Sequence, residues 1–166
     1  MVLSIIFCNF LIYTLWLFSP EFGYLTFMTQ NFLVSFVHLE EGFYWVLLTS
    51  VFSHNLFLHF AVNMLVLYSF GKVLSFVLGP WHMLKFYLVA GVISSLCHAL
   101  VSKFFIGDPA LPALGASGAI AGLVAVFSFL FPRQKLLIFG LIPIPAFTGI
   151  LLFIGLDLWG LLAQVK

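Results

Sequence analysis

The chain of 166 residues is 64% hydrophobic and 7% charged, with 22 phenylalanines and a mean hydropathy of +1.24. Soluble domains lie nearer roughly half apolar and a quarter charged, so this composition belongs to an integral membrane protein. The formal net charge of +1 excludes a basic nucleic-acid surface and an acidic tail. Cys8 and Cys97 both lie in apolar segments, which points to neither a disulfide framework nor a metal cluster.

A spanning helix needs about 20 apolar residues. Val2–Phe18 is the first candidate and slightly short. It has no basic region ahead of it beyond the amino terminus and no small-residue cleavage site behind it, so it reads as a retained helix. Residues 19–45 change character. There Glu21, Gln30, Asn31, His38, Glu40 and Glu41 interleave with aromatics, as in an interfacial loop lying on or partly in the membrane. A second helix is expected from about Leu56 to Val77 and a third from Met83 to Phe104. A fourth is expected from Ser117 to Phe131 and a fifth from Leu136 to Leu156. The fourth is short for a bilayer, and its lead-in "GDPALPALGAS" carries two prolines. Irregular backbone at that depth is tolerated only where protein or a water-filled cavity surrounds it. Residues 1–166 are thus expected to form a single all-α, polytopic membrane domain of about five spanning helices.

Orientation follows from the basic residues. Lys72 and Lys85 flank the 2–3 connection, and Arg133 and Lys135 fill the 4–5 connection. The 1–2 connection has no Lys or Arg and the 3–4 connection has only Lys103. The amino terminus is therefore expected inside, and helices 2 and 4 run in the same direction, from outside to inside. Their first residues share an outer-leaflet depth.

Two motifs meet at that depth. "HFAVNM" places His59 and Asn63 four residues apart, hence one turn apart on one helix face. "LGASGAIAG" places Ser117 at the start of helix 4, after a glycine-bearing irregular segment. Polar groups within a membrane are costly and mark a functional site by default. The free N–H groups and the positive dipole end of a helix N-terminus favour an oxyanion, the charge that develops during acyl transfer. Two plainer readings stand beside this one. Gly118 and Gly122 form a GxxxG pattern, the usual mark of close helix packing, and His59 with Asn63 suits polar hydrogen bonding between helices.

Together these motifs resemble the GxSG and HxxxN motifs of the rhomboid intramembrane serine proteases. The resemblance runs in order from Trp45 to Gly160 and includes the earlier "FSH" and the later "LDLWG". It implies Ser117 as the nucleophile. It implies an oxyanion hole of His59, Asn63 and the Ser117 backbone N–H, with Gly115 and Gly118 permitting the tight turn. The substrates implied are transmembrane proteins in the lipid bilayer, cleaved near the outer face without a cofactor or metal. Two features depart from the family pattern. Its general base is a histidine on a sixth helix, a segment this sequence lacks, so the 166-residue chain is expected to be nearly inactive alone. One turn after the nucleophile, where some members carry a Tyr that stacks on that histidine, stands Ala121. Gly122 and Ala125 are expected to form the seam that receives the sixth helix.

His54 is expected to make a structural hydrogen bond, and Asp157 to be an interfacial or capping carboxylate. His98 is weighed as a substitute base and disfavoured. His38 and His82 are loop residues without an evident partner. A catalytically dead rhomboid-like protein that binds transmembrane helices is the alternative function. A small transporter is disfavoured because no internal repeat is evident and the polar cluster lies near one face. A bacterial inner membrane is expected over a mitochondrial one, since no Arg-rich transit segment precedes the first helix.

Overall fold

The computed structural model describes residues 1–138 and 142–145, with 148, 149, 151 and 155. In chain order its helices are α1 (Val2–Phe18), α2 (Leu25–Phe32), α3 (Phe36–Glu40) and α4 (Val46–Thr49), the last continued by a 3₁₀ turn at Ser50–Phe52. Then follow α5 (Phe57–Leu78), α6 (Pro80–Val101), extended by a π turn at Ser102–Ile106, and α7 (Ser117–Leu130). Apolar runs of sufficient length dictate the long ones. Phe57–Leu78 and Pro80–Ile106, of 22 and 27 residues, are long and apolar enough to cross a membrane. At about 1.5 Å of rise per residue, the 14 residues of α7 reach only ~21 Å. Gly79, at φ +85°, ends α5, and Pro80 opens α6 in the first-turn position where its missing N–H costs nothing.

The distribution of polarity inverts that of a soluble protein. Phe76, Phe105 and Phe129 are 91%, 85% and 86% exposed, whereas Asn9, His54, Asn63 and Ser102 are buried. Phenylalanine on the outside and hydrogen-bonding groups on the inside suit a hydrocarbon solvent, which rewards internal pairing of polar groups.

Contacts at both ends fix the helix directions. Between α5 and α7, the His59 ring lies against Gly115 just ahead of α7, and about three turns further along both helices Phe70 meets Phe127 with ring centroids 5.0 Å apart. These two helices are parallel. The α6 helix runs antiparallel to α7, with Ser94 against Gly118 and Ala90 and Phe86 against Gly122. The α1 helix is antiparallel to α5: Val2 packs on Gly71, and Tyr13 stacks on Phe60 at 4.9 Å. The buried core between α5, α6 and α7 includes Leu67, Leu74, Tyr87, Ile120 and Leu123.

Two expectations are corrected. Residues 19–45 are not a plain loop, because α2 and α3 form there and the segment is tied down by backbone pairing. Val34 and Ala113 exchange N–H···O bonds of 2.9 and 2.8 Å, and Val37 N–H donates to Pro109 at 3.1 Å. Nor does a helix begin at Leu136. Lys135–Ile138 (β1) pairs antiparallel with Ile142–Pro145 (β2), with Leu137 opposite Pro143. The sequence "IPIP" explains this, since Pro143 and Pro145 lack the N–H that a helix interior requires and fit an edge strand. Thr148, Gly149, Leu151 and Gly155 are helical, while Asp157 and the "LDLWG" stretch lie outside the described residues.

Candidate active site

Ser117 is the first residue of α7, and its neighbour Ala116 occupies the N-cap without any side-chain cap. The first helical bond is Ile120 N–H to the Ala116 carbonyl, so the N–H groups of Ser117, Gly118 and Ala119 have no partner within the helix. A Ser, Thr or Asp at the cap would have satisfied one of them and gained on the order of 1 kcal/mol. Alanine leaves the amides open. Ser117 itself is half-buried, and no described residue hydrogen-bonds its hydroxyl.

His59 lies in the first turn of α5, also half-buried. Its ring lies so close to Gly115 that a Cβ there would stand 2.7 Å from His59 Cε1 and 3.1 Å from Nε2. Gly115 has φ +123°, a conformation that also demands glycine, and its N–H donates to the Ser50 carbonyl at 2.9 Å. Ser117 follows two residues later, within about 7 Å of Gly115 along the chain. A cleft of about 900 Å³ opens at this level, lined by Ser117, Gly118, Gly115, His59, Ser94 and His98 among others. Ser117 and His59 thus line one cleft.

Asn63 stands behind them. It is 2% exposed, and its Nδ2 lies 3.1 Å from Nε2 of His54, a residue with no solvent exposure. Ala116 N–H points at the same Nε2 from 3.4 Å. The His54 ring also meets His59 edge-on, with centroids 5.1 Å apart. Burial first, and then the neighbouring His59, push the pKa of His54 down to about 3 against the opposing pull of the Phe52 carbonyl. His54 is neutral at physiological pH.

His54 makes the structural hydrogen bond expected of it. It lies five positions before His59 and nine before Asn63, across the extended Ser53–Leu56 segment, where helical spacing gives no signal. His98 is engaged otherwise than as a base: its Nε2 donates to the Leu111 carbonyl at 3.1 Å and fastens the lead-in of α7 to α6.

The small residues are placed differently from expectation in one respect. Gly118 is pressed against Ser94, and a Cβ at Gly122 would stand 2.9 Å from Ala90 Cβ. At Gly118 and Gly122 that stripe is filled by α6, while Ala125, seven residues after Gly118 on the same stripe, is exposed. The short side chains explain the outcome, since only residues of this size let two helices approach so closely.

Comparison with known proteins bears on the same residues. A family model described as Rhomboid domain matches residues 41–166. RHOMBOID-like protein 12, mitochondrial, of Arabidopsis thaliana is 31% identical over 170 residues, covering 95% of this chain and 49% of that protein. Rhomboid protein 1, mitochondrial, of Saccharomyces cerevisiae is 40% identical over 99 residues, 58% of this chain and 28% of its own length. The human Presenilin-associated rhomboid-like protein, mitochondrial, is 40% identical over 102 residues, 61% of this chain and 26% of its own. The chain thus spans about half the length of the first relative and about a quarter of the other two. No solved structure matches it. The mitochondrial relatives overturn the expectation of a bacterial inner membrane. That expectation leaned on a missing Arg-rich leader, which carries no information where a sequence spans only part of its relatives. A family match over residues 41–166, on a helical bundle that brings Ser117 and His59 to one cleft, establishes that the chain belongs to the rhomboid family.

Proposed function

We propose that residues 1–166 are one membrane domain carrying the nucleophile and oxyanion hole of an intramembrane serine endopeptidase of a mitochondrial membrane. The observation that carries this reading is the shared cleft of Ser117 and His59, with the uncapped start of α7 beside them. Ser117 Oγ attacks the scissile carbonyl of a transmembrane substrate as its proton passes to a base. The developing oxyanion is held by the Ser117 N–H, the His59 imidazole and the Asn63 N–H that His54 leaves free. Collapse breaks the C–N bond, the amine leaves with the proton, and water reaching the cleft then hydrolyses the acyl ester. No described residue accepts the Ser117 proton. The resemblance assigns that role to a histidine on a further helix. Lys72 packs beside the start of α1, and Lys85 and Arg133 belong to the same end of the bundle, opposite Ser117. That basic end is read as the inner side, with the amino end of α1 inside and cleavage near the outer face.

The test is cleavage of a tagged transmembrane reporter in liposomes by the protein expressed from its complete reading frame. Cleavage is expected to fall to background in Ser117→Ala with the melting temperature unchanged. Cleavage that persists in Ser117→Ala defeats the reading. Stable capture of the reporter helix without any cleavage by the wild type marks a rhomboid-like binder instead.

A further inference from the structure

Behind the proposed catalytic groups lies a fully buried imidazole that the acyl-transfer mechanism does not use. Its Nε2 faces two hydrogen-bond donors, the Ala116 backbone N–H at 3.4 Å and the Asn63 carboxamide at 3.1 Å. A backbone N–H can only donate, so Nε2 must present its lone pair and the ring proton must sit on Nδ1, a buried atom that makes no hydrogen bond of its own. That assignment settles the carboxamide as well. Facing an acceptor, Asn63 must offer its NH₂ group, which leaves the second N–H of that group for another partner. Were the tautomer reversed, the carboxamide would turn its oxygen toward His54 and away from donating. The oxygen would then serve as the wrong group beside a developing oxyanion.

We infer that His54 is a positioning residue for the site: its Nε2 lone pair fixes Asn63 with its NH₂ group in donating orientation and pins Ala116, the residue before the nucleophile. This rests on the proposed function and deepens it. Like Asn63, His54 is not among the residues that line the cleft, whose wall at this point is His59. It therefore acts through Asn63. Ring shape is not what the role needs. An acceptor in that place is, and a glutamine carbonyl supplies one where a phenylalanine ring does not.

The experiment is a double-mutant cycle on the protein expressed from its complete reading frame, with kcat and KM measured on the transmembrane reporter in liposomes. Ser117→Ala serves as the reference that separates failure of the proposed function from failure of this inference. With cleavage lost in Ser117→Ala, His54→Phe is expected to lower kcat by roughly 10- to 100-fold with KM within about threefold. His54→Gln should recover most of that loss. In an Asn63→Ala background the further effect of His54→Phe should shrink to about threefold or less, because the group it orients is gone. Undiminished kcat in His54→Phe overturns the inference. So do equal losses from His54→Phe in both backgrounds, and a His54→Gln variant as impaired as His54→Phe while melting like the wild type.

Discussion

The parallel helices α5 and α7 meet twice, and the two meetings are built from opposite materials. At the end remote from Ser117, Phe70 stands edge-on to Phe127 at 5.0 Å, Phe131 follows at 5.1 Å, and Leu67 and Leu123 are completely buried. At the Ser117 end an imidazole rests on a bare glycine backbone, with His54, Asn63 and an uncapped helix start behind it. Aromatic packing has no hydrogen-bonding requirement and fixes the distance between the helices by bulk. Glycine allows the approach that polar groups need. Bulk at one end thus sets the spacing, and its absence at the other creates a cleft.

The largest effect expected from breaking this arrangement comes at the polar end. Asn63→Ala removes one of the proposed oxyanion donors and is expected to lower kcat by about 100- to 1,000-fold with little change in KM. Reporter cleavage in liposomes measures it, and a loss below about tenfold would remove Asn63 from the oxyanion hole. The aromatic end should respond in the other currency. Phe127→Ala empties part of a core shared with Phe70 and Phe131 and is expected to destabilise by roughly 3 kcal/mol. Its signature is a lower melting temperature with a nearly unchanged rate per folded molecule. A kcat loss without a stability loss would mean that the two ends are not separable.

Gly115 tests the boundary between them. At φ +123° any side chain is strained by about 1–3 kcal/mol, and a Cβ would stand 2.7 Å from the His59 ring. Gly115→Ala should therefore reduce both stability and cleavage, the latter by on the order of 10-fold as His59 is pushed from its place. Wild-type rates in Gly115→Ala would show that the ring's contact with Gly115 does not set its position.

Much of this contrast was legible in the sequence, and the reasons it was not fully so are local. The apolar runs gave α1, α5, α6 and α7 with ends displaced by at most about three residues, the usual uncertainty of helix termini. Same-direction travel of α5 and α7 then followed from counting crossings, which brought Ser117 to the level of His59. Proline chemistry was underweighted in "IPIP", where hydropathy read a helix and missing N–H groups made strands. His54 was legible as a structural hydrogen-bonding residue, but its partners were not. It joins the site through an extended segment and two tertiary hydrogen bonds, neither of which has a periodic signature. The GxxxG pattern was visible, but which neighbour it served was a matter of which helix came back alongside it.

The acid side of the pH range sharpens the polar end alone. In the fold His54 has a pKa of about 3, whereas in the unfolded chain it returns to its ordinary 6.5. Between those values the unfolded state binds a proton that the folded state refuses, so this group's contribution to stability is intact above pH 6.5 and is lost as pH falls toward 3. Thermal melts at pH 7.5 and pH 5 should show a larger drop for the wild type than for His54→Gln. Identical drops would assign the acid sensitivity to other groups.

The smallest effect is expected furthest from either meeting point. Lys103 Nζ lies 2.7 Å from Glu40 Oε1 and 3.8 Å above the Phe36 ring, joining α3 to the end of α6. Both charged side chains are partly exposed, at 32% and 54%, so solvent screens the pair and its worth is about 0–1 kcal/mol. The cation over the ring adds a similar fraction. The segment it holds is fastened again by the reciprocal Val34–Ala113 backbone bonds, which are independent of charge and salt. Lys103→Ala should therefore lower the melting temperature slightly, less so at high salt, and leave the cleavage rate within about twofold. If the rate falls tenfold instead, the geometry of Ser117 is governed by residues 19–45 pressing on its lead-in. The contacts between α5, α6 and α7 would then be insufficient to hold the cleft.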